Sequence, residues 1–129
     1  MQAAERITVV VADDTEDIRD LVTLSLDIDG RFTIVEQVGD GRAAVDACLR
    51  HQPDAIVLDL AMPHLSGQRA MPLIAAGSPA TAIVVYSAYY TADEVTALMG
   101  AGADAVVSKT ARPVELADTV AAAVASRHA

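Results

Sequence analysis

Apolar residues form two kinds of run along the chain. Four short runs are almost continuously apolar and rich in β-branched residues, as in strands that are buried on both faces; they cover residues 7–12, 55–58, 82–86 and 105–107. The segment 32–38 alternates more strictly between apolar and polar residues, which is typical of a strand nearer the edge of a sheet. The pattern predicts five strands.

Between these runs, apolar residues recur at spacings of three and four, which indicates helices over 16–29, 42–51, 92–99 and from Pro113 onward. Thr91 and Glu94 have the spacing of a capping box, and proline is favoured as a first helical residue. A third helix, within 67–76, contains Pro72, so we expect it to be kinked or to start late. The apolar face of the first helix is predicted to hold Ile18, Leu21, Val22, Ser25 and Ile28.

Strict alternation of strand and helix predicts an α/β fold, in which a five-stranded parallel sheet carries helices on both faces. A chain of 129 residues has the size of one ordinary domain. We therefore expect a single domain over residues 1–129. We find no internal repeat, low-complexity tract or linker that would divide it.

Charge and composition exclude several classes of function. The net charge of −9 argues against direct nucleic acid binding, which rewards clustered Lys and Arg. Cys48 is the single cysteine and is expected to be a buried apolar residue without a redox role. No run approaches the ~20 apolar residues of a membrane span, and the first apolar run is too short for a signal peptide. We expect a cytoplasmic protein without membrane association.

Polar residues follow four of the predicted strands at the point where each strand ends. Asp13 and Asp14 follow the first strand, Asp59 the third, Ser87 the fourth and Lys109 the fifth. The carboxyl ends of parallel strands meet at one edge of a sheet, where the sites of open α/β folds lie. These side chains are therefore predicted to share one pocket.

Three converging carboxylates would repel one another and raise at least one pKa unless a cation were bound. Ligands that are all oxygen favour Mg²⁺. Lys109 and Ser87 suit the oxygens of a phosphate group, so the set predicts a phosphoryl-transfer site. Asp59, at the end of a central strand, is the best candidate for a nucleophile that forms an aspartyl phosphate.

The combined pattern resembles the response regulator receiver domains of two-component signalling, over nearly the whole chain. The resemblance is carried by Asp13-Asp14, Asp59-x-x-Met62-Pro63-x-x-x-Gly67, Ser87-Ala88, and Gly102-Ala103-Asp104-Ala105 leading to Lys109. It implies a flavodoxin-like three-layer (βα)5 sandwich with strand order 2-1-3-4-5.

The resemblance also implies roles for individual residues. Asp59 would accept phosphate from a histidine kinase or phosphotransfer protein. Mg²⁺ would be bound directly by Asp14, Asp59 and the carbonyl of Ala61, and largely through water by Asp13. The phosphoryl group would be contacted by Ser87, Ala88 and Lys109, and Lys109 would pair with Asp59 when it is not phosphorylated.

Two positions depart from the receiver pattern. Many receivers carry Tyr or Phe three residues before the lysine as part of their switch, but this chain has Val106. Many also follow the lysine with proline through a cis bond; here the residue is Thr110, and we expect a trans bond because a cis bond would cost ~2.5–4 kcal/mol.

The segment 109–116 is more like receivers that precede a helix-turn-helix output domain, and the chain ends after its last predicted helix. It is expected to be a single-domain regulator or a fragment of a longer one. The resemblance implies that the fourth helix, fifth strand and fifth helix bind a downstream protein or an output domain, or form a homodimer. Tyr89 and Tyr90, on the loop after Ser87, suit either local packing or partner contact.

A receiver-fold module that binds partners without phosphorylation is the main alternative, since Val106 removes the usual switching ring. A Mg²⁺ phosphohydrolase with an aspartyl nucleophile would need a second acid two residues after Asp59, where Ala61 stands. A flavin-binding relative is excluded, because the acidic residues at 13–17 would repel the flavin phosphate.

Overall fold

The computed structural model describes residues 6–88 and 90–128, in which five strands alternate with five helices. The strands are β1 (Ile7–Ala12), β2 (Phe32–Val38), β3 (Ala55–Leu58), β4 (Ala82–Ser87) and β5 (Ala105–Ser108). The helices are α1 (Glu16–Asp29), α2 (Gly41–His51), α3 (Gly67–Gly77), α4 (Ala92–Gly100) and α5 (Pro113–Arg127). Every predicted element is present. None of the helices in these two ranges is long and apolar enough to cross a membrane.

The strands form one parallel sheet in the order β2-β1-β3-β4-β5. This confirms the flavodoxin-like α/β fold. The strand order reverses between β1 and β3, so the carboxyl ends of these two strands border the crevice in which such folds place their sites. The β1–β2 register shifts between Val9 and Val10, which marks an irregularity in the edge strand β2.

Two apolar layers, one on each face of the sheet, form the core. On one face Val10, Ile56 and Ile83 pack with residues of α2, α3 and α4. On the other face, Val9 and Val57 pack with residues of α1 and α5. Neighbouring strand residues point to opposite faces, so strands covered on both sides must be continuously apolar. Each fully buried aliphatic side chain contributes about 1.5–3 kcal/mol.

The predicted apolar face of α1 is partly wrong. The helix buries Val22 and Leu26, whereas Leu21 is 56% exposed and Ile28 is 77% exposed. Apolar residues are distributed around most of this helix, so periodicity alone did not identify the inward face. The position of α1 against the sheet and α5 decided it.

The expected late start of α3 is also wrong. The helix begins at Gly67, where the side chain of Ser66 accepts a hydrogen bond from the Arg69 amide, and it continues through Pro72 to Gly77. Proline removes the bond that its own N–H would make to the carbonyl of Gln68, and its ring crowds that carbonyl. Both residues are exposed, so water can bind that carbonyl.

Two local predictions agree with the structure. Thr91 Oγ1 accepts from the Glu94 amide at 3.2 Å, and Glu94 Oε1 accepts from the Thr91 amide at 3.0 Å, which completes the capping box of α4. Cys48 is fully buried in α2, and burial raises the pKa of its thiol to about 12. The thiol therefore stays protonated at neutral pH, as expected of a core residue.

The first residue of α2, Gly41, is required by a close approach between two backbones. A Cβ at this position would lie 1.9 Å from the carbonyl oxygen of Leu65. Gly100, at the end of α4, has no atom within 4 Å of the same point and offers a matched control.

We expect Gly41→Ala to lower the free energy of unfolding by about 1–3 kcal/mol, because a main-chain contact cannot relax as a side chain can. Gly100→Ala should be neutral or stabilising by up to about 1 kcal/mol, since alanine favours the helix. Urea unfolding of both variants beside the wild type measures the difference. Equal stability of the two variants would contradict the close contact.

Candidate functional site

The sheet hydrogen bonds continue one residue beyond the strands and fix the backbone of the predicted site residues. The Asp13 amide donates to the last carbonyl of β2 at 3.1 Å, and the Asp59 amide donates to the last carbonyl of β1 at 2.9 Å. The Lys109 amide donates to the Ser87 carbonyl at 2.8 Å. The residues predicted from the strand ends are thus held by the same ladder that builds the sheet.

Three carboxylates meet at this edge. Asp13, Asp14 and Asp59 each place an oxygen within 4.8 Å of the others. Asp13 is 2% exposed and Asp59 is 5% exposed, while Asp14 is open to solvent. Two buried anions and one exposed anion at such separations favour a bound cation. The exposed Asp14 leaves one side of the cluster accessible to it.

Lys109 supplies the positive charge within the cluster. Its Nζ lies 2.6 Å from Asp13 Oδ2 and 3.5 Å from Asp59 Oδ1, so the ion pair expected with Asp59 is present but the contact with Asp13 is closer. The same Nζ lies 5.8 Å from the centre of the Tyr86 ring, within the range of a cation–π contact. One ammonium group facing three carboxylates leaves the cluster with a net negative charge.

Burial and neighbouring charges together shift the pKa values of Asp59 and Lys109. Burial, followed by the nearby charge of Asp13, raises the pKa of Asp59, although Lys109 and the Ala61 amide oppose the shift. Burial lowers the pKa of Lys109, but Asp13 and Asp59 outweigh it and the net pKa is raised. Lys109 is therefore charged at neutral pH. Ionisation of Asp59 in the folded protein is unfavourable because of burial and of repulsion from Asp13, and a bound cation would reduce that cost in free energy.

Hydrogen bonds from nearby backbone amides orient the two buried carboxylates. Asp13 Oδ1 accepts from the Thr15 amide at 2.9 Å, and Asp59 Oδ1 accepts from the Ala61 amide at 3.4 Å. Each bond joins a carboxylate to the amide two residues later, as in an Asx turn. The loop that follows β1 thus orients the side chain of Asp13, and the loop that follows β3 orients that of Asp59. Ala61, the predicted source of a carbonyl ligand, lies exposed beside Asp59.

Gly67 closes the turn that follows Asp59. Its amide donates to the Leu60 carbonyl at 2.9 Å, and a Cβ at this position would lie 2.2 Å from the carbonyl oxygen of Asp59. The motif therefore needs glycine at position 67, because any side chain there would collide with the backbone of Asp59. His64, in the same turn, has φ 66° and is exposed to solvent.

The remaining predicted residues lie at the ends of β4 and β5. Ser87 is partly buried and pairs in register with Ser108, while Ala88 is exposed beyond it. Val106 and Tyr90 line a groove of about 380 Å³ on the outer side of β5. Tyr89 lies outside the described residues.

The described chain contains no cis peptide bond. The bond between Lys109 and Thr110 is therefore trans, as predicted from the absence of a proline after the lysine.

One contact at the site was not predicted. Arg19 Nη1 donates to the carbonyl of Asp13 at 2.6 Å. Arg19 is the one basic residue of α1, and this was the available signal in the sequence. A hydrogen bond from a side chain to a main-chain carbonyl leaves no mark in residue spacing, so the contact itself required the structure.

Comparison with known proteins shows the family to which the chain is similar. A family model of the response regulator receiver domain matches residues 9–121. A protein-glutamate methylesterase/protein-glutamine glutaminase of Nitrosospira multiformis is 34% identical over 107 residues, which are 81% of this chain and 30% of that protein. An uncharacterised transcriptional regulatory protein of Bacillus subtilis is 30% identical over 119 residues, 92% of this chain and 55% of that protein. The chain thus spans about half of that regulator and less than a third of the methylesterase.

Solved structures show the same fold. The signal receiver domain of the response regulator NarL from Mycobacterium tuberculosis matches with a TM-score of 0.90 at 26% identity, covering 95% of this chain and 98% of that one. The response regulator domain of CheB from Thermotoga maritima matches with a TM-score of 0.87 at 24% identity, covering 94% and 98% respectively. With a family model that matches most of its length, this chain belongs to the response regulator receiver domain family.

Proposed function

We propose that this receiver is a Mg²⁺-dependent phosphoacceptor whose phosphorylated residue is Asp59. The observation that carries the proposal is the convergence of Asp13, Asp14 and Asp59, with Lys109 beside them, at the carboxyl edge of the sheet. Asp59 directly follows β3, the middle strand of the sheet, and its carboxylate contacts Lys109 and the amide of Ala61 in the following turn. It is therefore the best placed nucleophile.

The chemistry of the donor set fits Mg²⁺. All the candidate side-chain ligands are carboxylate oxygens, which Mg²⁺ prefers, and the cluster has more negative charge than Lys109 can balance. Asp14 and Asp59, with the carbonyl of Ala61, would bind the ion directly, and Asp13 would act through water. When bound, the ion would neutralise charge on the carboxylates and on the transferred phosphoryl group.

Phosphoryl transfer to Asp59 needs no general acid or base from this chain. A carboxylate oxygen of Asp59 attacks the phosphorus of a phosphohistidine, an O–P bond forms, and the N–P bond to the donor imidazole breaks. The imidazole nitrogen keeps the bonding electron pair and takes a proton from solvent. Lys109, Ser87 and the backbone at Ala88 would hold the phosphoryl oxygens, so the protein acts by positioning and charge. It catalyses only its own phosphorylation and dephosphorylation.

The phosphoryl group would act as a switch by adding charge beside Lys109 and biasing a two-state equilibrium. The protein would act in the cytoplasm, and the donor would be a histidine kinase or phosphotransfer protein. The readout would be the surface of α4, β5 and α5, which would bind a downstream protein, an output domain or a second copy. Val106 places no aromatic ring at this surface. A conformational change there would therefore involve other side chains, such as Tyr90, which lines the same groove.

The absence of a ring at Val106 also supports the alternative of an interaction module that works without phosphorylation. The two functions differ in a single measurable property. A phosphoacceptor must gain a covalent group on Asp59, whereas a constitutive module would bind its partners equally well without one.

Treatment with acetyl phosphate and Mg²⁺ should add the mass of one phosphoryl group to the wild-type protein. Intact-mass spectrometry should show no adduct on Asp59→Asn or with a chelator present, because both remove part of the site. Asp20→Asn, which alters an exposed aspartate of α1, is the matched control and should label normally. If Asp59→Asn labels as the wild type does, the assignment fails; no labelling of any variant would favour the constitutive module.

In a chelator, Asp59→Asn should stabilise the fold at neutral pH by about 1–3 kcal/mol, the usual cost of a buried polar group that lacks full compensation. The pKa of Asp59 is raised on folding, so the native state binds its proton more tightly than the unfolded state. The gain from asparagine should therefore grow as pH rises through the native pKa of Asp59 and vanish below the unfolded value of about 3.9.

Thermal unfolding between pH 3.5 and 8 tests this dependence. Added Mg²⁺ should stabilise the wild type at neutral pH and leave Asp59→Asn nearly unaffected. A stability difference that stays constant across the pH range would contradict the raised pKa.

A further inference from the structure

Arg19 extends from α1 to the candidate metal site. Arg19, Val22 and Leu26 lie at helical spacings of three and four, on the side of α1 that faces the sheet, and the two apolar members are buried in the core. The arginine stands at the end of this row nearest the carboxyl edge of the sheet. Its partly buried side chain donates from Nη1 to the carbonyl of Asp13 at 2.6 Å.

The choice of partner is informative. No carboxylate oxygen in the described chain lies within 4.0 Å of the Arg19 guanidinium, although three aspartates form a cluster nearby. Guanidinium groups frequently form two parallel hydrogen bonds to a carboxylate. Arg19 instead makes one charge-assisted hydrogen bond to a main-chain carbonyl, which directs its side chain to a single backbone position. Gly39 leaves room for it, because a Cβ there would lie 3.1 Å from Nη1.

The carbonyl of Asp13 belongs to the planar peptide unit that joins Asp13 to Asp14. A hydrogen bond that holds this carbonyl therefore fixes the orientation of the whole peptide unit, including the backbone nitrogen of Asp14. The other polar groups of Asp13 are already engaged by β2, Thr15 and Lys109. Asp14, by contrast, is exposed, and its carboxylate is contacted by Thr15 Oγ1 at 3.5 Å. It is the least constrained carboxylate of the cluster.

We propose that Arg19 is a positioning residue for cation binding, which orients Asp14 by holding the peptide unit between Asp13 and Asp14. The proposal rests on the proposed function, because it assumes that the acidic cluster binds Mg²⁺. Groups that hold metal ligands in place without touching the metal typically change metal affinity by about 10–100-fold when they are removed.

A simple charge effect would act in the opposite direction. A guanidinium near three carboxylates repels a divalent cation, so removal of its charge alone would tighten Mg²⁺ binding. Positioning predicts weaker binding after the same substitution. The sign of the change therefore separates the two roles of Arg19.

The test is calorimetric titration of the unphosphorylated full chain with Mg²⁺, for wild type, Arg19→Lys and Arg19→Met. The methionine variant should bind Mg²⁺ about tenfold more weakly, and the lysine variant should be intermediate, because lysine keeps the charge but reaches less far. Arg6→Met removes one exposed positive charge at the opposite end of β1 and should match the wild type. The acetyl phosphate labelling rate of Arg19→Met should return to the wild-type value at saturating Mg²⁺.

Mg²⁺ affinity of Arg19→Met equal to or tighter than that of the wild type would overturn the role of Arg19 while leaving the phosphoacceptor function intact. Circular dichroism in the presence of a chelator shows whether Arg19→Met folds. If it does not, the Mg²⁺ affinity of Arg19→Lys is the test instead, and wild-type affinity in that variant overturns the proposal. Failure of the wild type itself to bind Mg²⁺ would overturn the proposed function and this inference together.

Discussion

Repulsion among three carboxylates at the carboxyl edge of the sheet is the constraint around which the site is built. Asp13 and Asp59 are buried there within reach of Asp14, and Lys109 is the ammonium group that pairs with both buried members. An arrangement that raises the pKa of Asp59 opposes folding of the unliganded protein at neutral pH. It persists because the backbone amides of Asp13, Asp59 and Lys109 are hydrogen-bonded to neighbouring strands of the sheet.

The sheet therefore has two roles. Its strands are apolar on both faces and supply most of the burial, and their last hydrogen bonds hold charged residues where they would not otherwise gather. Stability gained in the two apolar layers offsets the cost of the acidic edge. This division explains why the charged residues follow the strands directly: one residue earlier they would lie inside the core, and a few residues later they would lose the constraint of the ladder.

Close backbone contacts complete the site. Gly67 approaches the carbonyl of Asp59 and Gly41 approaches the carbonyl of Leu65, so a side chain at either position would collide with main-chain atoms. On the opposite side, Arg19 bonds to the carbonyl of Asp13. The geometry of the aspartates thus depends on main-chain groups as much as on their own side chains. A cation would meet the buried carboxylates of Asp13 and Asp59 already held in place, which reduces the ordering required on binding.

Much of this protein follows from the sequence alone. Apolar runs indicated the strands, and spacings of three and four indicated the helices, because local patterns record burial. Polar residues after four of the strands indicated the candidate site. The sequence did not indicate which side of α1 faces the sheet, that α3 begins at Gly67, that Lys109 lies closer to Asp13 than to Asp59, or that Arg19 reaches the Asp13 carbonyl. These features depend on distances between segments far apart in the chain, which only the packed tertiary structure determines.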